Sequence, residues 1–415
     1  MKSNGGVGRK EKPHVYFKNL DGIRFIAATM VVLQHCFSFK YFYFQDRAAH
    51  SFLDDWFSST GRLGVNLFFV LSGFLISYLL LTEKDTTGTI SYRNFYIRRI
   101  LRIWPLYIGY GLFLTFFSPY VASVLGMNGT VTAGEVLVDL AFLFLFSVNY
   151  QLAFMPYNRD IFEVSWSVCM EEQFYLLWPL LMNKCRKYLK TLVAVMFGIS
   201  ITVRIVVTVV LPHFIPLTPK RAYDINFLML FDKLDLFTGG LIIALFYYHR
   251  DKYQGLIRKL FHPAVQVVMI ALAACYVLSV FRLKNMGEIF FDHYVCDILF
   301  GYLLLAAVLG NFIFNFEGRL IRTLGRVSYG IYIYHIAVCQ VIMFLFRKYV
   351  LHPESHLIYD LIYPLICLTL TCVVAWLSYT YYESWFLRKK KKFEAVVSAE
   401  PPGADPVPAV VAVEK

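Results

Sequence analysis

Charge is scarce in this sequence. Only 16% of its residues are Asp, Glu, Lys or Arg and 58% are hydrophobic, against roughly 25% and 45–50% in soluble domains. Long apolar runs with so little charge between them exclude an ordinary soluble domain and read as a polytopic membrane protein, with the lipid bilayer as first partner. No C-x-x-C pair occurs among the eight cysteines, which are scattered and mostly sit inside apolar runs. That spacing argues against a disulfide framework and against a thiolate metal site, so no metal is expected. No A-x-A-like site follows the polar start MKSNGGVGRKEKPH, and a cleavable signal peptide is not expected. Neither an internal repeat nor a nucleic-acid signature is evident, so no nucleic acid is expected as a partner. The net charge of +12 is gathered in a few loops and at the tail, where the positive-inside rule covers most of it.

What is present is a series of apolar runs, near 20–39, 63–82, 104–120, 165–183, 190–211, 226–248, 263–281, 292–313, 326–346 and 357–382. Basic clusters mark their cytoplasmic ends at Arg9–Lys12, Arg98–Arg102, Lys184–Lys190, His249–Lys259, Arg319–Arg326 and Arg388–Lys392. With the N-terminus inside, alternation holds except around 104–183, where Glu135–Tyr150 (EVLVDLAFLFLFSVNY) is one segment too many. Were it to span, every later loop would invert. The stretch 134–151 is therefore expected to be re-entrant or interfacial, which is tolerated where protein or a water-filled cavity shields it. The expected fold is all-α, with about ten transmembrane helices, this one extra segment and both termini cytoplasmic. Residues 1–19 read as a polar N-terminus, 20–388 as the transmembrane domain, and 389–415 as a basic and then disordered cytoplasmic tail rich in Pro, Ala and Val.

Ionisable residues inside spans are costly, so each is a functional candidate, and each also has a plainer explanation. In Leu20–Cys36 (LDGIRFIAATMVVLQHC), Arg24 and His35 are spaced R-x10-H, close to three turns, and share a helical face some 16 Å apart. Arg24 can instead be a snorkelling anchor and His35 a hydrogen-bonded helix-end residue. In FYIRRILRIWP, Arg99 and Arg102 at i and i+3 can grip phosphate bidentately, or simply obey the positive-inside rule. Gly64, Ser72 and Gly73 in the preceding span permit close helix contact. In SWSVCMEEQFYLLWP, Glu171 and Glu172 lie about 100° apart around the helix, so one is expected to face a cavity and the other a neighbouring helix. Asp232 and Asp235, with Lys233, either line an entrance for a polar acceptor or form a buried ion pair. His335 lies a third to halfway across its span beside Tyr329, Tyr332 and Tyr334, as a site residue or as a structural histidine. His50 and Asp55 match H-x4-D, but in a polar outer loop away from cytoplasmic donors.

Taken in order, LDGIRFIAATMVVLQH, GVNLFFVLSGFLI, FYIRRILRIWPLY, WSVCMEEQFYLLWPLL, FDKLDLFTGGLIIAL and SYGIYIYH resemble the acyltransferase-3 family of integral-membrane O-acyltransferases, from Leu20 to about Arg388. The resemblance implies a transmembrane acyltransferase domain that moves an acyl group, usually acetyl from acetyl-CoA, to a hydroxyl of an envelope saccharide or a glycosylated acceptor. It places the chain in the inner (cytoplasmic) membrane. The family's R-x10-H falls on Arg24 and His35, its R-x-x-R on Arg99 and Arg102, and its W-S-x-x-x-E-E-x-F-Y on Trp166–Tyr175. Lys233 stands where relatives commonly carry arginine, and a lysine lacks the planar fork for bidentate binding. Many relatives also carry an extracytoplasmic hydrolase-like domain after the last span, and this chain is expected to be of the stand-alone form.

These readings combine into one mechanism. Arg24, Arg99 and Arg102 hold the phosphates of acyl-CoA, the pantetheine arm lies along the first helix, and His35 is the general base. Glu171 or Glu172 orients the imidazole, with an acyl-histidine intermediate as a variant. Asp232, Asp235, Tyr332 and His335 contact the acceptor. A proton-coupled secondary transporter or flippase is the competing class, since intramembrane Asp, Glu and His suit it too. A homo-oligomer is compatible with the sequence, which does not decide it.

Overall fold

The structure is a computed structural model that describes residues 14–44, 51–57, 60–124, 132–155, 163–280, 286–350 and 355–398. Its first helix, α1 (Leu20–Phe44), is entered through Asn19, whose positive φ turns the chain into the helix. The Asn19 side chain accepts from the Phe316 N–H (2.7 Å), tying that entry to a distant loop. A short helix, α2 (Phe52–Phe57), presents Asp54 to Lys40 of α1 at 2.9 Å. The long helix α3 (Thr60–Thr87) then runs through the middle of the bundle and packs against α1. A Cβ at Gly64 would lie 2.6 Å from the Ala27 carbonyl oxygen, so that crossing needs glycine. Helix α4 (Tyr92–Val124) follows, carrying the basic stretch in its first turns.

The Glu135–Tyr150 stretch is two short helices, α5 (Ala133–Phe144) and α6 (Val148–Phe154), of 12 and 7 residues. Neither is long enough to cross a bilayer, which takes about 20 residues. The chain breaks at Phe146, where φ is +50°. The open backbone there is satisfied by Gln173, whose amide donates to the Phe146 carbonyl (2.8 Å) and to Asn149 Oδ1 (2.9 Å). Phe146 at the break is buried, while Leu137, Phe144 and Leu145 of the same segment are exposed.

Helix α7 (Ser165–Lys184) leads to α8 (Leu189–Ile205), which continues through a π turn, and then to α9 (Pro219–Phe227) and α10 (Leu234–Tyr248). Helix α10 lies against α3 more closely than side chains allow. A Cβ on Gly73 would sit 2.1 Å from the Phe237 carbonyl oxygen, and one on Gly240 would sit 2.3 Å from that of Val70. The two backbones touch at glycines from both sides. Helix α11 (Gln254–Leu260) and α12 (Pro263–Val277) meet in a pair bent by 78°. Helices α13 (Met286–Val308), α14 (Arg319–Arg326), α15 (Ser328–Tyr349), α16 (Tyr363–Ser378) and α17 (Ser384–Lys390) complete the bundle. The only strands among the described residues are β1 (His14–Val15) and β2 (Val397–Ser398), paired in parallel. The expected tail thus begins as folded chain, held by β2 and by Arg98 donating to the Phe393 carbonyl (2.8 Å).

The described residues contain seven helices long and apolar enough to cross a membrane, or eight with the bent pair, against about ten expected. The difference has a physical reason. Helix α10 is apolar but only 15 residues long, and the turn before it carries Asp232 and Lys233. Helix α7 is 20 residues long but carries Glu171 and Glu172 within it. By contrast α8 and its π turn expose Val195, Ile199, Ile205 and Val209, the pattern of a lipid-facing helix. Gly240→Val is expected to abolish monodisperse folded protein on size exclusion in detergent, because the α3–α10 contact has no room for it. Gly198→Ala, in open space on α8, is expected to melt no lower than the parent chain.

Candidate functional site

A cavity of about 190 Å³ opens between α1, α3, α4, α7, α15 and α17. Arg24 of α1, Arg99 and Arg102 of α4, and Lys390 at the end of α17 line one part of it. Arg24 reaches Asp21 at 3.6 Å, and Lys390 reaches Glu394 at 3.4 Å. Arg99 lies over the rings of Tyr175 (5.3 Å) and Phe95 (5.7 Å), and its Nε is buried with no hydrogen-bond partner among the described residues. Four cations therefore face a cavity whose lining offers one carboxylate, that of Glu171. Burying so many like charges is unfavourable unless an anion joins them.

The adjacent carboxylates divide as their helical spacing requires. Glu171 lines the cavity and accepts from Ser72 (2.9 Å) and Tyr175 (2.9 Å), while Tyr175 also donates to Ser72 (3.0 Å). Glu172 points to α4, where it accepts from the Trp104 indole at 2.9 Å. Ser72, read from sequence as a packing residue, is thus part of the cavity's polar lining.

The other part of the cavity is more apolar, with Val65, Phe68 and Phe69 of α3 facing Ser167 and Tyr332. The Ser167 and Tyr332 hydroxyls are hydrogen-bonded at 2.6 Å. One turn beyond Tyr332, His335 places Nδ1 2.6 Å from the Tyr332 carbonyl oxygen, the geometry of an Nδ1–H donor. Its buried Nε2 has no partner among the described residues. The His335 ring stacks on His35, with centroids 4.9 Å apart and planes inclined by 26°. Neither histidine lines the cavity, and neither Glu171 nor Glu172 is hydrogen-bonded to His35. The neighbour of His35 is a second imidazole, contributed by α15, where a carboxylate was expected.

Asp232 and Asp235 lie apart from this cavity. Arg204 of α8 joins them, with Nε 2.7 Å from Asp232 and its terminal nitrogen 2.6 Å from Asp235. Lys233 pairs with Asp232 at 2.8 Å and meets His293 Nε2 at 3.1 Å, while His293 Nδ1 lies 3.1 Å from Asp235. The guanidinium fork that Lys233 cannot supply comes from Arg204 on the neighbouring helix. Asp232, Lys233 and His293 also border a second space of about 20 Å³, room for about one water and not for a sugar. The buried ion pair, the plainer of the two sequence readings, is what the geometry contains.

A family model described as an acyltransferase domain, acyltransferase 3, matches residues 17–383. The chain belongs to the acyltransferase-3 family. It is 25% identical over 346 residues to the peptidoglycan O-acetyltransferase OatA of Listeria monocytogenes, covering 78% of this chain and 49% of that protein. It is 26% identical over 423 residues to a Staphylococcus aureus protein provisionally named an O-acetyltransferase, covering 92% and 59%. A Bacillus subtilis protein provisionally named a peptidoglycan O-acetyltransferase is 24% identical over 386 residues, covering 90% and 55%. The chain spans about half to three-fifths of the length of these relatives. No solved structure matches it.

Of the residues picked from sequence, this acyltransferase-3 chain brings Arg24, Arg99, Arg102, Glu171 and Tyr332 onto one cavity. His35 and His335 stack on each other, and Glu172, Asp232 and Asp235 are engaged elsewhere. His50 of the H-x4-D match lies outside the described residues. Sequence reasoning missed Lys390, hidden in a run of basic residues, and Arg204, which a stricter search for charge inside an apolar run would have found. Arg204→Ala leaves two buried carboxylates without their fork and is expected to cost about 3–5 kcal/mol. A fall in the melting temperature of the purified protein measures it; an unchanged melting temperature would contradict the structural role.

Proposed function

We propose that this chain is a membrane O-acyltransferase that moves an acyl group, acetyl by preference, from cytoplasmic acyl-CoA to a hydroxyl of an envelope saccharide or glycosylated compound. The observation that carries the reading is the cavity lined by Arg24, Arg99, Arg102 and Lys390 with a single carboxylate. Its chemistry suits a polyphosphorylated ligand, and the basic loops argue for ten spans with both termini and the arginines on the cytoplasmic side of the inner membrane. Family membership supports acyl transfer, and the peptidoglycan named for OatA supports an envelope polysaccharide as acceptor.

In this reading the phosphates of coenzyme A rest against the arginines and Lys390. The pantetheine arm follows the apolar lining of Val65, Phe68 and Phe69 toward Ser167 and Tyr332. The acceptor hydroxyl attacks the thioester carbonyl, a C–O bond forms, and the C–S bond breaks. His35 takes the hydroxyl proton and returns it to the leaving thiolate. Stacking against His335 orients the imidazole in place of a carboxylate, and the Ser167–Tyr332 hydroxyl pair offers donors for the oxyanion. Glu171 positions Ser72 and Tyr175 around Arg99. Asp232 and Asp235 hold helices together and reach the acceptor only indirectly.

The deciding experiment incubates purified protein with labelled acetyl-CoA and an envelope glycan, then looks for a new ester by mass spectrometry. A transporter would leave the glycan unmodified. His35→Ala is expected to lower turnover by about 10²–10⁴-fold with donor affinity unchanged; normal turnover would end the proposal. Arg99→Ala and Lys390→Ala should each raise the donor KM about tenfold or more, from a lost charge-assisted contact of about 1.5–3 kcal/mol. Glu171→Gln should impair donor use more than Glu172→Gln, and equal full activity of both would remove Glu171 from the site.

A further inference from the structure

Three cysteines that the chain keeps far apart meet in one place. Cys36 of α1, Cys339 of α15 and Cys367 of α16 are each fully buried, and their sulfur atoms lie within 4.8 Å of one another. The Cys36 and Cys339 sulfurs are 3.6 Å apart. With metal–sulfur bonds of about 2.3 Å, a trigonal centre sets its sulfurs about 4 Å apart, so the three thiols stand close to that arrangement already. The surroundings are mostly apolar: Ala28, Val32, Ile331, Met343 and Ala375 belong to the same buried cluster, together with Tyr363, whose hydroxyl donates to the Cys339 carbonyl (3.1 Å). Met343 is one turn beyond Cys339 on α15, which adds a thioether to the neighbourhood. No histidine or carboxylate completes the group among the described residues.

We propose that Cys36, Cys339 and Cys367 form a binding site for a soft monovalent cation, Cu(I), within the membrane domain. The choice of ion follows from the donors. Thiolate and thioether select soft metals, and Cu(I) accepts a sulfur-only shell of low coordination number, whereas structural zinc sites are almost always closed by four ligands. Binding is a proton exchange without electron transfer: each sulfur that coordinates as thiolate releases its thiol proton. The location gives the ion something to control. Cys36 follows His35 directly and Cys339 lies one turn beyond His335. A bound ion would therefore tie together α1 and α15, which carry the two stacked imidazoles, and anchor both to α16.

The test uses the full-length protein purified in detergent, loaded with Cu(I) anaerobically and challenged with a chromogenic Cu(I) chelator. The expected result is about one retained ion per chain, an ultraviolet sulfur-to-copper charge-transfer band, and a raised melting temperature. Cys36→Ser, Cys339→Ser and Cys367→Ser should each lose the retained ion, and Cys275→Ser, on α12 and outside the cluster, should keep it. Should the cluster variants fail to fold, X-ray absorption of the copper-loaded parent chain decides: a sulfur-only shell supports the site, and a shell of nitrogen or oxygen overturns it. The proposal also falls if the parent chain surrenders all its Cu(I) to the chelator, if the triple-serine variant retains as much, or if Zn(II) is held as tightly.

Discussion

An ionised side chain inside a hydrocarbon slab must be paired by its own protein or must face something that pairs it. That constraint sorts the charged residues of this chain. Near the C-terminal end of α1, Lys40 is held between Asp54 at 2.9 Å and Asp360 at 2.5 Å. Deeper, Arg204 and Lys233 balance Asp232 and Asp235, with His293 bridging Lys233 and Asp235. Both groups are self-contained and join helices distant in sequence. The cavity flanked by Arg24, Arg99, Arg102 and Lys390 is different, because Glu171 is the single carboxylate on its lining. The imbalance separates this cavity from the two charge-balanced groups that join helices.

Such a cavity needs rigid walls, and α3 supplies the central one. Without water to drive apolar faces together, close packing and hydrogen bonds must hold the helices. Gly64 lets α3 approach α1 and Gly73 lets it approach α10, while between them Ser72 donates to Glu171 of α7. Phe68 and Phe69 of the same helix reach Tyr332 and Trp166 with ring centroids about 6 Å apart. One helix therefore places the cavity's polar and aromatic linings relative to each other. The broken segment of α5 and α6 is tolerated for a related reason, since Gln173 donates to the Phe146 carbonyl that the break opens.

The site was partly legible before any coordinates. The helical spacing of Glu171 and Glu172 already required that they face different ways, and they do. The R-x-x-R pair on α4, Arg99 and Arg102, lines the cavity together with Arg24. The expectation that failed to find its contact was a carboxylate against His35. Periodicity orders residues along one helix, but the ring that stacks on His35 comes from α15, some 300 positions later. Lys390 was hidden in the same way, inside a basic run indistinguishable from an orienting cluster. The span count diverged because an apolar run does not fix the length of the helix it forms: α10 is 15 residues long, and α7 carries two carboxylates within its 20.

By itself the sequence determined that the chain is a helical membrane protein, which family it belongs to, and which charged residues are too costly to be incidental. Those properties follow from composition, from the 3.6-residue period and from motif order, all of which are local. Tertiary structure alone decided which of those charges neutralise one another and which are left facing a cavity. It also decided that His35 meets His335 and that Cys36, Cys339 and Cys367 share one pocket of sulfur. Pairing of this kind depends on distances between helices, and no helix carries that distance in its own residues.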